Sequence, residues 1–297
     1  MNQQSIDQPT IIRQGEELDA NTIQEYLNSK LPQHEKLMEI RQFPSGFSNL
    51  TYLLTTDRSE YVLRKPPIGA NIKYAHDMAR EYKVLTLLKP HFSFVPEPIA
   101  LEESGNVLGT PFFMMERVKG VILRNKPPKS IDLTEELMRA VSTNAVKQLA
   151  DLHQTDLEKS GLAGFGKPDG YVERQVNGWA DRYAKAKTDE IEGIEASFDW
   201  LKQHLPPANQ PAFIHNDFKY DNIVLDPQDL TSIKAILDWE MATVGDPLMD
   251  LGTTLAYWAE AGDSDALKPF NLTWLPGNLT REEVVSAYFR HTRTTEQ

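Results

Sequence analysis

Residues 215–222 read His-Asn-Asp-Phe-Lys-Tyr-Asp-Asn, and the apolar run 233–237 further along the chain ends at Asp238. The first stretch itself follows the apolar triplet Ala-Phe-Ile. Short apolar runs bounded by polar residues predict buried strands. Side chains placed at the ends of such strands are held in defined positions. The pattern therefore singles out Asp217, Asn222 and Asp238 as oxygen-bearing side chains that lie together.

The spacing of these three residues indicates their chemistry. Asp217 and Asn222 are five positions apart (217 to 222), as are the Asp and Asn of the kinase catalytic loop H-R-D-x-x-x-x-N. Asp238 then stands where a metal-binding Asp follows the next strand. Mg²⁺ takes one or two oxygen ligands from protein and the rest from phosphates and water. The pattern predicts Asp217 as the catalytic base and Asn222 and Asp238 as magnesium ligands.

Several neighbouring residues have simpler interpretations. A His-x-Asp near an Asn is common outside catalytic loops, and only the flanking strands favour catalysis here. For His215, a hydrogen-bonded structural role is favoured over a catalytic one. Asp246 and Asp250 are expected to cap or anchor the helix that follows them. Trp179 is expected to face inward from a helix that begins near residue 171.

Composition limits the class of protein. The 297 residues include no cysteine, which excludes disulfides and thiolate metal sites. A net charge of −12 argues against a nucleic-acid partner. No apolar run reaches the roughly 18 residues of a membrane span, and the N-terminus lacks a signal-peptide pattern. These features predict a cytoplasmic protein and give no oligomeric state.

The order of predicted elements divides the chain in two. Short strand-like runs and one amphipathic helix occupy residues 1–116, after a polar arm over residues 1–20 that is predicted to be flexible. Helical periodicity dominates residues 117–297. The predicted fold class is α+β, with a nucleotide-binding part first and a helical part carrying the catalytic loop second.

Further residues are candidates for nucleotide binding. The turn between the first two strands contains four of them: Gly46, Phe47, Ser48 and Asn49. Backbone N–H groups in such a turn attract anions, although most turns of this kind are plain hairpins.

Two other segments complete the candidate set. Arg64 and Lys65 lie on opposite faces of the third strand, and either one would contact phosphates while Glu81 on the next helix holds it. Their alternative role is that of solvent-exposed charges. Glu116 and Val118 belong to a segment whose backbone would hydrogen-bond adenine.

These motifs together resemble the aminoglycoside phosphotransferase and choline-kinase-like enzymes. The resemblance covers about residues 35–290 and includes Leu-Asp-Trp-Glu at 237–240 and Gly-Asp-Pro at 245–247. It implies a two-lobed protein-kinase-like fold with a small antiparallel-sheet N-lobe and a mainly helical C-lobe. It also implies ATP as phosphate donor, with Mg, and the roles given above for Asp217, Asn222 and Asp238.

Within that family, Arg-Lys-Pro-Pro at 64–67 and the 236–240 stretch resemble the branch related to the kinase-like portion of acyl-CoA dehydrogenase fusions. That branch implies a small-molecule hydroxyl acceptor attached to an acyl chain or acyl-CoA rather than an antibiotic. The net charge of −12 would separately tolerate a cationic acceptor, although a solvated acidic surface explains the charge equally well. Arg64 replaces a lysine common in relatives, and Asn216 replaces a common glycine. The chain ends at Gln297, before helices that relatives usually have, which favours an alternative: a nucleotide-binding regulatory pseudokinase without transfer activity.

Overall fold

The computed structural model describes residues 6–44, 49–67 and 75–292. The sheet region, residues 6–116, contains these elements: α1 (Ala20–Lys30), β1 (Leu37–Gln42), β2 (Leu50–Thr56), β3 (Glu60–Lys65), α2 (Ala75–Leu88), β4 (Pro98–Glu102) and β5 (Phe112–Glu116). The helical region, residues 117–292, contains these: α3 (Glu135–His153), α4 (Leu157–Ser160), α5 (Tyr171–Ala186), α6 (Ile194–Gln203), β6 (Ala212–Ile214), β7 (Ile223–Leu225), β8 (Ile233–Ile236), β9 (Thr243–Gly245), α7 (Pro247–Tyr257) and α8 (Arg281–Thr292).

The five strands of the sheet region form one antiparallel sheet in the order β1-β2-β3-β5-β4. Successive side chains of a strand point to opposite faces. Leu63 therefore packs with Ile23 and Leu27 of α1, whereas Val62 joins the core cluster that includes Val84 of α2. The same alternation places Arg64 on the α2 face and Lys65 on the α1 face.

The helical region is organised around α3, whose buried face lies in the main core. Thr134 caps α3 by accepting a hydrogen bond from Leu137 N, as its position before Glu-Glu predicts. The catalytic-loop segment is bounded by two short antiparallel pairs, β6 with β9 and β7 with β8. Within the described ranges, every helix is too short or too polar to cross a lipid bilayer.

The crossing between the two regions requires a glycine. Val121 exchanges backbone hydrogen bonds with Leu225, so the chain leaving the sheet runs directly against β7. A Cβ on Gly120 would lie 2.3 Å from Leu225 O, closer than any side chain can sit. The close approach brings the segment after β5 next to the catalytic loop.

The polar arm predicted over residues 1–20 makes specific contacts within its described part. Asp7 N donates to Gly120 O and Asp7 O accepts from Arg117. Thr10 pairs with Gln42 at the end of β1, and α1 begins at Ala20 after the Asp19 cap. Residues 6–19 thus follow the edge of the sheet down to the junction.

Helices α5 and α6 do not follow the predicted packing. They pack on each other through Tyr183 and Phe198, with ring centroids 5.8 Å apart. Trp179, expected to face inward, is 54% exposed, and Trp200 is 58% exposed. The apolar periodicity of α5 therefore serves a two-helix contact rather than the main core.

Candidate active site

A cleft of about 360 Å³ lies between the sheet region and the catalytic loop. Its walls come from β2 and β3, the segment after β5, the catalytic loop and the residues after β8. The lining side chains relevant to chemistry are Asn49, Arg64, Glu116, Val118, Asp217, Lys219, Asp221, Asn222, Asp238 and Glu240. The three residues singled out by spacing in the sequence thus share one cavity.

Asp217 is held from two sides. Its Oδ1 lies 3.0 Å from Lys219 Nζ, and its Oδ2 accepts a hydrogen bond of 2.9 Å from Asn222 Nδ2. Asn222 Nδ2 also donates to the Asp217 carbonyl, which leaves the Asn222 amide oxygen as the atom able to bind a metal. Burial would lower the pKa of the Lys219 ammonium, but its hydrogen bond with Asp217 raises it overall. Lys219 therefore stays charged beside the carboxylate.

Arg64 joins the two regions through a buried charge cluster. Its Nη1 lies 2.7 Å from Glu81 Oε1, and its Nη2 lies 3.0 Å from Asp238 Oδ1 and 3.4 Å from Glu240 Oε2. Asn49 Nδ2 donates to the same Glu240 oxygen at 2.6 Å. One guanidinium therefore contacts three carboxyl groups at once.

Two carboxyl groups of this cluster, Glu81 and Asp238, have pKa values shifted in opposite directions. Burial raises the pKa of Glu81 to about 7, with Arg64 opposing and Asp238 and Glu240 reinforcing the rise. Burial would also raise the pKa of Asp238, but attraction to Arg64 and its hydrogen bond lower it overall. Asp238, which is 35% exposed, is thus ionised and faces the cleft.

Asp250, in α7, holds the backbone of the catalytic loop. Its Oδ2 accepts from His215 N and its Oδ1 from Asn216 N, both at 2.7 Å. His153 bridges Asp250 Oδ2 at 3.0 Å and Tyr288 OH at 2.7 Å, so α3, α7 and α8 all meet the loop here. Burial would raise the pKa of Asp250, but His153 and the loop amides lower it overall.

His215 has the structural role that the sequence favoured. The ring is fully buried; its Nε2 lies 3.0 Å from Leu237 O, and its Nδ1 accepts from Asp217 N at 3.2 Å. The tautomer with a proton on Nε2 satisfies both contacts. The ring thereby connects the backbone at Asp217 to the residue before Asp238.

Two non-glycine residues have left-handed backbones, Asn216 with φ 65° and Asp238 with φ 68°. Glycine adopts this region without strain, and Asn and Asp tolerate it best among other residues. This explains why Asn216 substitutes for the glycine expected from the resemblance. Asn216 directly precedes the cleft residue Asp217, and Asp238 is itself one of the cleft carboxylates.

Apart from Glu116 and Val118, the remaining predicted residues fall into three groups: those outside the described chain, Asn49, and Lys65. Gly46, Phe47 and Ser48 lie outside the described residues, and Asn49 contacts Glu240. Lys65 lies on the α1 face and is not part of the cleft lining, so strand alternation assigns the cleft position to Arg64.

The segment after β5 lines the cleft with Glu116 and Val118. Glu116 N donates to Glu97 O and Arg117 N donates to Glu60 O. Among the described residues Glu116, Arg117 and Val118, only the Val118 N–H makes no backbone hydrogen bond. A purine base bound at this segment would therefore meet the Val118 N–H.

Sequence reasoning missed several residues that shape the site. Lys219 and Glu240 each follow a predicted residue by two positions, and the irregular backbone brings both into the same cleft. Asp250 was expected at a helix cap; that role belongs to Asp246, which accepts from Leu248 N and Met249 N. The sequence predicts only a helix-surface or packing role for His153, whereas the structure makes it a buried member of the loop anchor.

The comparisons with known proteins agree with this geometry. A family model described as "Phosphotransferase enzyme family" matches residues 39–284. The chain is 34% identical to acyl-CoA dehydrogenase family member 11 of Gallus gallus over 94% of its length, but spans 36% of that protein. It is also 34% identical to member 10 of Mus musculus, covering 83% of this chain and 23% of the mouse protein.

Solved structures support the same fold. A Ralstonia eutropha chain assigned to the aminoglycoside phosphotransferases superposes with a TM-score of 0.77 at 26% identity, covering 95% of this chain and 82% of that one. A streptomycin–ATP complex of an aminoglycoside 2″-phosphotransferase superposes with a TM-score of 0.60 at 17% identity, covering 93% and 82%. The second similarity bears on the fold alone.

Proposed function

This chain belongs to the phosphotransferase enzyme family, and from that premise we propose that it transfers the γ-phosphate of ATP to a hydroxyl group of a small molecule. The observation that carries the proposal is the convergence of Asp217, Asn222, Asp238 and Arg64 on one cleft. Phosphoryl transfer depends on positioning and charge neutralisation, which this set of one cation and three oxygen donors supplies.

Asp217 acts as the base. Hydrogen bonds from Lys219 and Asn222 fix the direction of its carboxylate. An acceptor hydroxyl in the cleft donates its proton to Asp217 as its oxygen attacks the phosphorus, a contribution typically of about 10²–10⁴-fold in rate. Lys219 is a positioning residue in this scheme.

The donor set fits magnesium. The Asn222 amide oxygen and the Asp238 carboxylate are hard oxygen ligands, and two protein ligands are what Mg²⁺ usually accepts beside phosphates. When bound, the metal would neutralise charge on the transferring phosphoryl group. Arg64 holds Asp238 in place and, on β3, is the cation nearest to that group in this scheme.

For the acceptor we favour a hydroxyl on an acyl-linked molecule over a cationic antibiotic. The two relatives at 34% identity carry acyl-CoA dehydrogenase in their names.

The test is phosphate transfer from γ-labelled ATP with Mg²⁺ over a panel of hydroxyacyl thioesters, amino alcohols, aminoglycosides and sugars. We expect one class to be labelled, and Asp217→Asn to abolish labelling while ATP still stabilises the protein against heat. Asp199→Asn, on exposed α6, is the matched control and should keep full activity. Unchanged turnover in Asp217→Asn would remove Asp217 from the mechanism. ATP binding without transfer to any class would favour a regulatory pseudokinase.

A further inference from the structure

Tyr257 has no role in the mechanism above, yet its ring faces the lysine beside the proposed base. Lys219 Nζ lies over this ring, 4.8 Å from its centroid, and 3.0 Å from Asp217 Oδ1. An ammonium within about 6 Å of the centroid of an aromatic ring is attracted by the negative face of the ring. The Lys219 ammonium therefore has two partners, a carboxylate that lines the cleft and an aromatic face.

Helix α7 places the Tyr257 ring at this position. Asp250, in the first turn of α7, holds the loop backbone, and Tyr257 is the last residue of the same helix. Positions 250 and 257 are about two helical turns apart, so both side chains lie on the same face of α7. The next residue, Trp258, meets the ring of Tyr220 with centroids 5.6 Å apart. One helix thus contacts the backbone of the loop near its start and side chains of the loop at its end.

The surroundings of Lys219 favour an effect of the ring on the base. Lys219 and Asp217 line the cleft, whereas Tyr257 is not part of the cleft lining. The Lys219 side chain is only 21% exposed, and the attraction between a cation and a ring strengthens as water is removed. Tyr257 therefore acts on Asp217 through Lys219 and makes no contact of its own with a nucleotide in the cleft.

We infer that Tyr257 is a positioning residue whose ring holds the Lys219 ammonium in place while Asp217 takes the proton of the acceptor. In the transfer step the hydroxyl O–H bond breaks and its proton moves to the Asp217 carboxylate. The hydroxyl oxygen bonds to phosphorus as the bond from phosphorus to the ADP oxygen breaks. Asp217 is then neutral and attracts Lys219 less, whereas the attraction of the ring is unchanged. The inference rests on the proposed function, since it requires Asp217 to act as the base.

The test is a double-mutant cycle on turnover. With Mg–ATP and the acceptor that the panel labels, kcat and KM are measured for the wild type, Tyr257→Leu, Tyr257→Phe, Lys219→Met and the double variant of Lys219→Met with Tyr257→Leu. We expect Tyr257→Leu to lower kcat about fivefold to tenfold, with the KM for ATP within about twofold of the wild-type value. Tyr257→Phe keeps the aromatic face and should retain at least about half of the wild-type kcat. In the Lys219→Met background, Tyr257→Leu should lower kcat no further.

A second measurement detects the contact itself, without nucleotide or acceptor. In protein with isotope-labelled lysines, the NMR signal of the Lys219 side chain is assigned by its loss in Lys219→Met. Removal of the ring current in Tyr257→Leu should shift this signal, and Tyr257→Phe should shift it less. The matched control is Trp179→Leu, because Arg182 lies 4.7 Å from the centroid of the exposed Trp179 ring on α5. This control should leave kcat and the Lys219 signal unchanged.

The outcomes distinguish the inference from the proposed function. An equal loss of kcat from Tyr257→Leu in both backgrounds, an unshifted Lys219 signal, or equal impairment in Tyr257→Phe and Tyr257→Leu overturns the inference, while transfer by the wild type keeps the proposed function standing. No transfer by the wild type to any acceptor overturns both. If Tyr257→Leu does not fold, fluorinated phenyl rings in place of the Tyr257 ring keep its shape but weaken its negative face. Turnover should then fall as fluorines are added, and a constant kcat across that series overturns the inference.

Discussion

The loop anchor around Asp250 and the charge cluster around Arg64 both hold catalytic groups, but they balance charge differently. Asp250 is paired with two backbone N–H groups and His153, so its carboxylate is satisfied within the protein. Arg64 contacts Glu81, Asp238 and Glu240 together, and Asp238 and Glu240 also line the open cleft.

The difference separates a part that sets geometry from a part that awaits a ligand. A satisfied buried network fixes one backbone arrangement, whereas carboxylates that line an open cleft gain stability when a cation arrives. Under the proposed function, the loop is shaped before nucleotide binding, and Asp238 would receive a metal. Four substitutions test this contrast.

The largest effect is expected at the anchor. Asp250→Ala leaves the N–H groups of His215 and Asn216 and one ring nitrogen of His153 without their partner. We expect the free energy of unfolding in urea to fall by about 3–5 kcal/mol and phosphate transfer to fall by at least about a hundredfold, because the loop loses its register. Asp199→Ala on exposed α6 is the control. Wild-type stability in Asp250→Ala would show that the anchor sets no geometry.

An intermediate effect is expected in the cluster. Arg64→Lys keeps the charge but removes the planar fork that reaches Glu81 and Asp238 together. We expect kcat/KM for ATP to fall about tenfold, with a loss of about 1–3 kcal/mol in the free energy of unfolding.

The control for this change is a second arginine–glutamate pair. Arg139 and Glu283 lie 2.8 Å apart on the surface, with both side chains largely exposed. Exposed pairs contribute about 0–1 kcal/mol, so Arg139→Lys should be nearly silent in both assays. Equal effects at Arg64 and Arg139 would refute a special role for the buried cluster.

The smallest effect is a difference in pH dependence. The pKa of Glu81 rises from 4.5 to about 7 on folding, so the folded state binds more protons in that window and this residue's contribution to stability declines as pH rises through it. The pKa of Asp250 is lowered from 3.8, so its contribution is present above pH 3.8 and is lost as pH falls below it. Melting temperatures across pH 3–8 measure both.

Glu81→Gln should remove the decline between about pH 4.5 and 7, while Asp250→Asn should flatten the acid limb without altering that window. The two variants thus test the two regions separately. Identical pH profiles for both variants would show that the regions are not distinguishable by charge.

The parts of the fold and of the site that could be predicted from the sequence are those set by residues that lie close together along the chain. Asp217, Asn222 and Asp238 lie close to one another along the chain, at the ends of short strands, and their spacing placed them in one cleft. The choice between Arg64 and Lys65 needed one more fact, which face of the sheet α2 covers. The two-part α+β architecture followed from the order of strand and helix periodicities.

Other features depended on tertiary contacts that no local pattern records. Asp250 meets His215 across 35 positions and His153 across 97, and its helical position looked like a cap. Trp179 carries the same apolar periodicity as a core residue, but α5 packs on α6 instead.

The left-handed backbone at Asp238 has a consequence for how this position can vary. On conformational grounds alone glycine is the best residue there, since any side chain costs on the order of 1 kcal/mol or more at such a φ. Glycine would remove a carboxylate that pairs with Arg64 and lines the cleft. Under the proposed function, Asp238→Gly would relieve the backbone but remove a metal ligand, so aspartate suits this position for its chemistry and not for its conformation.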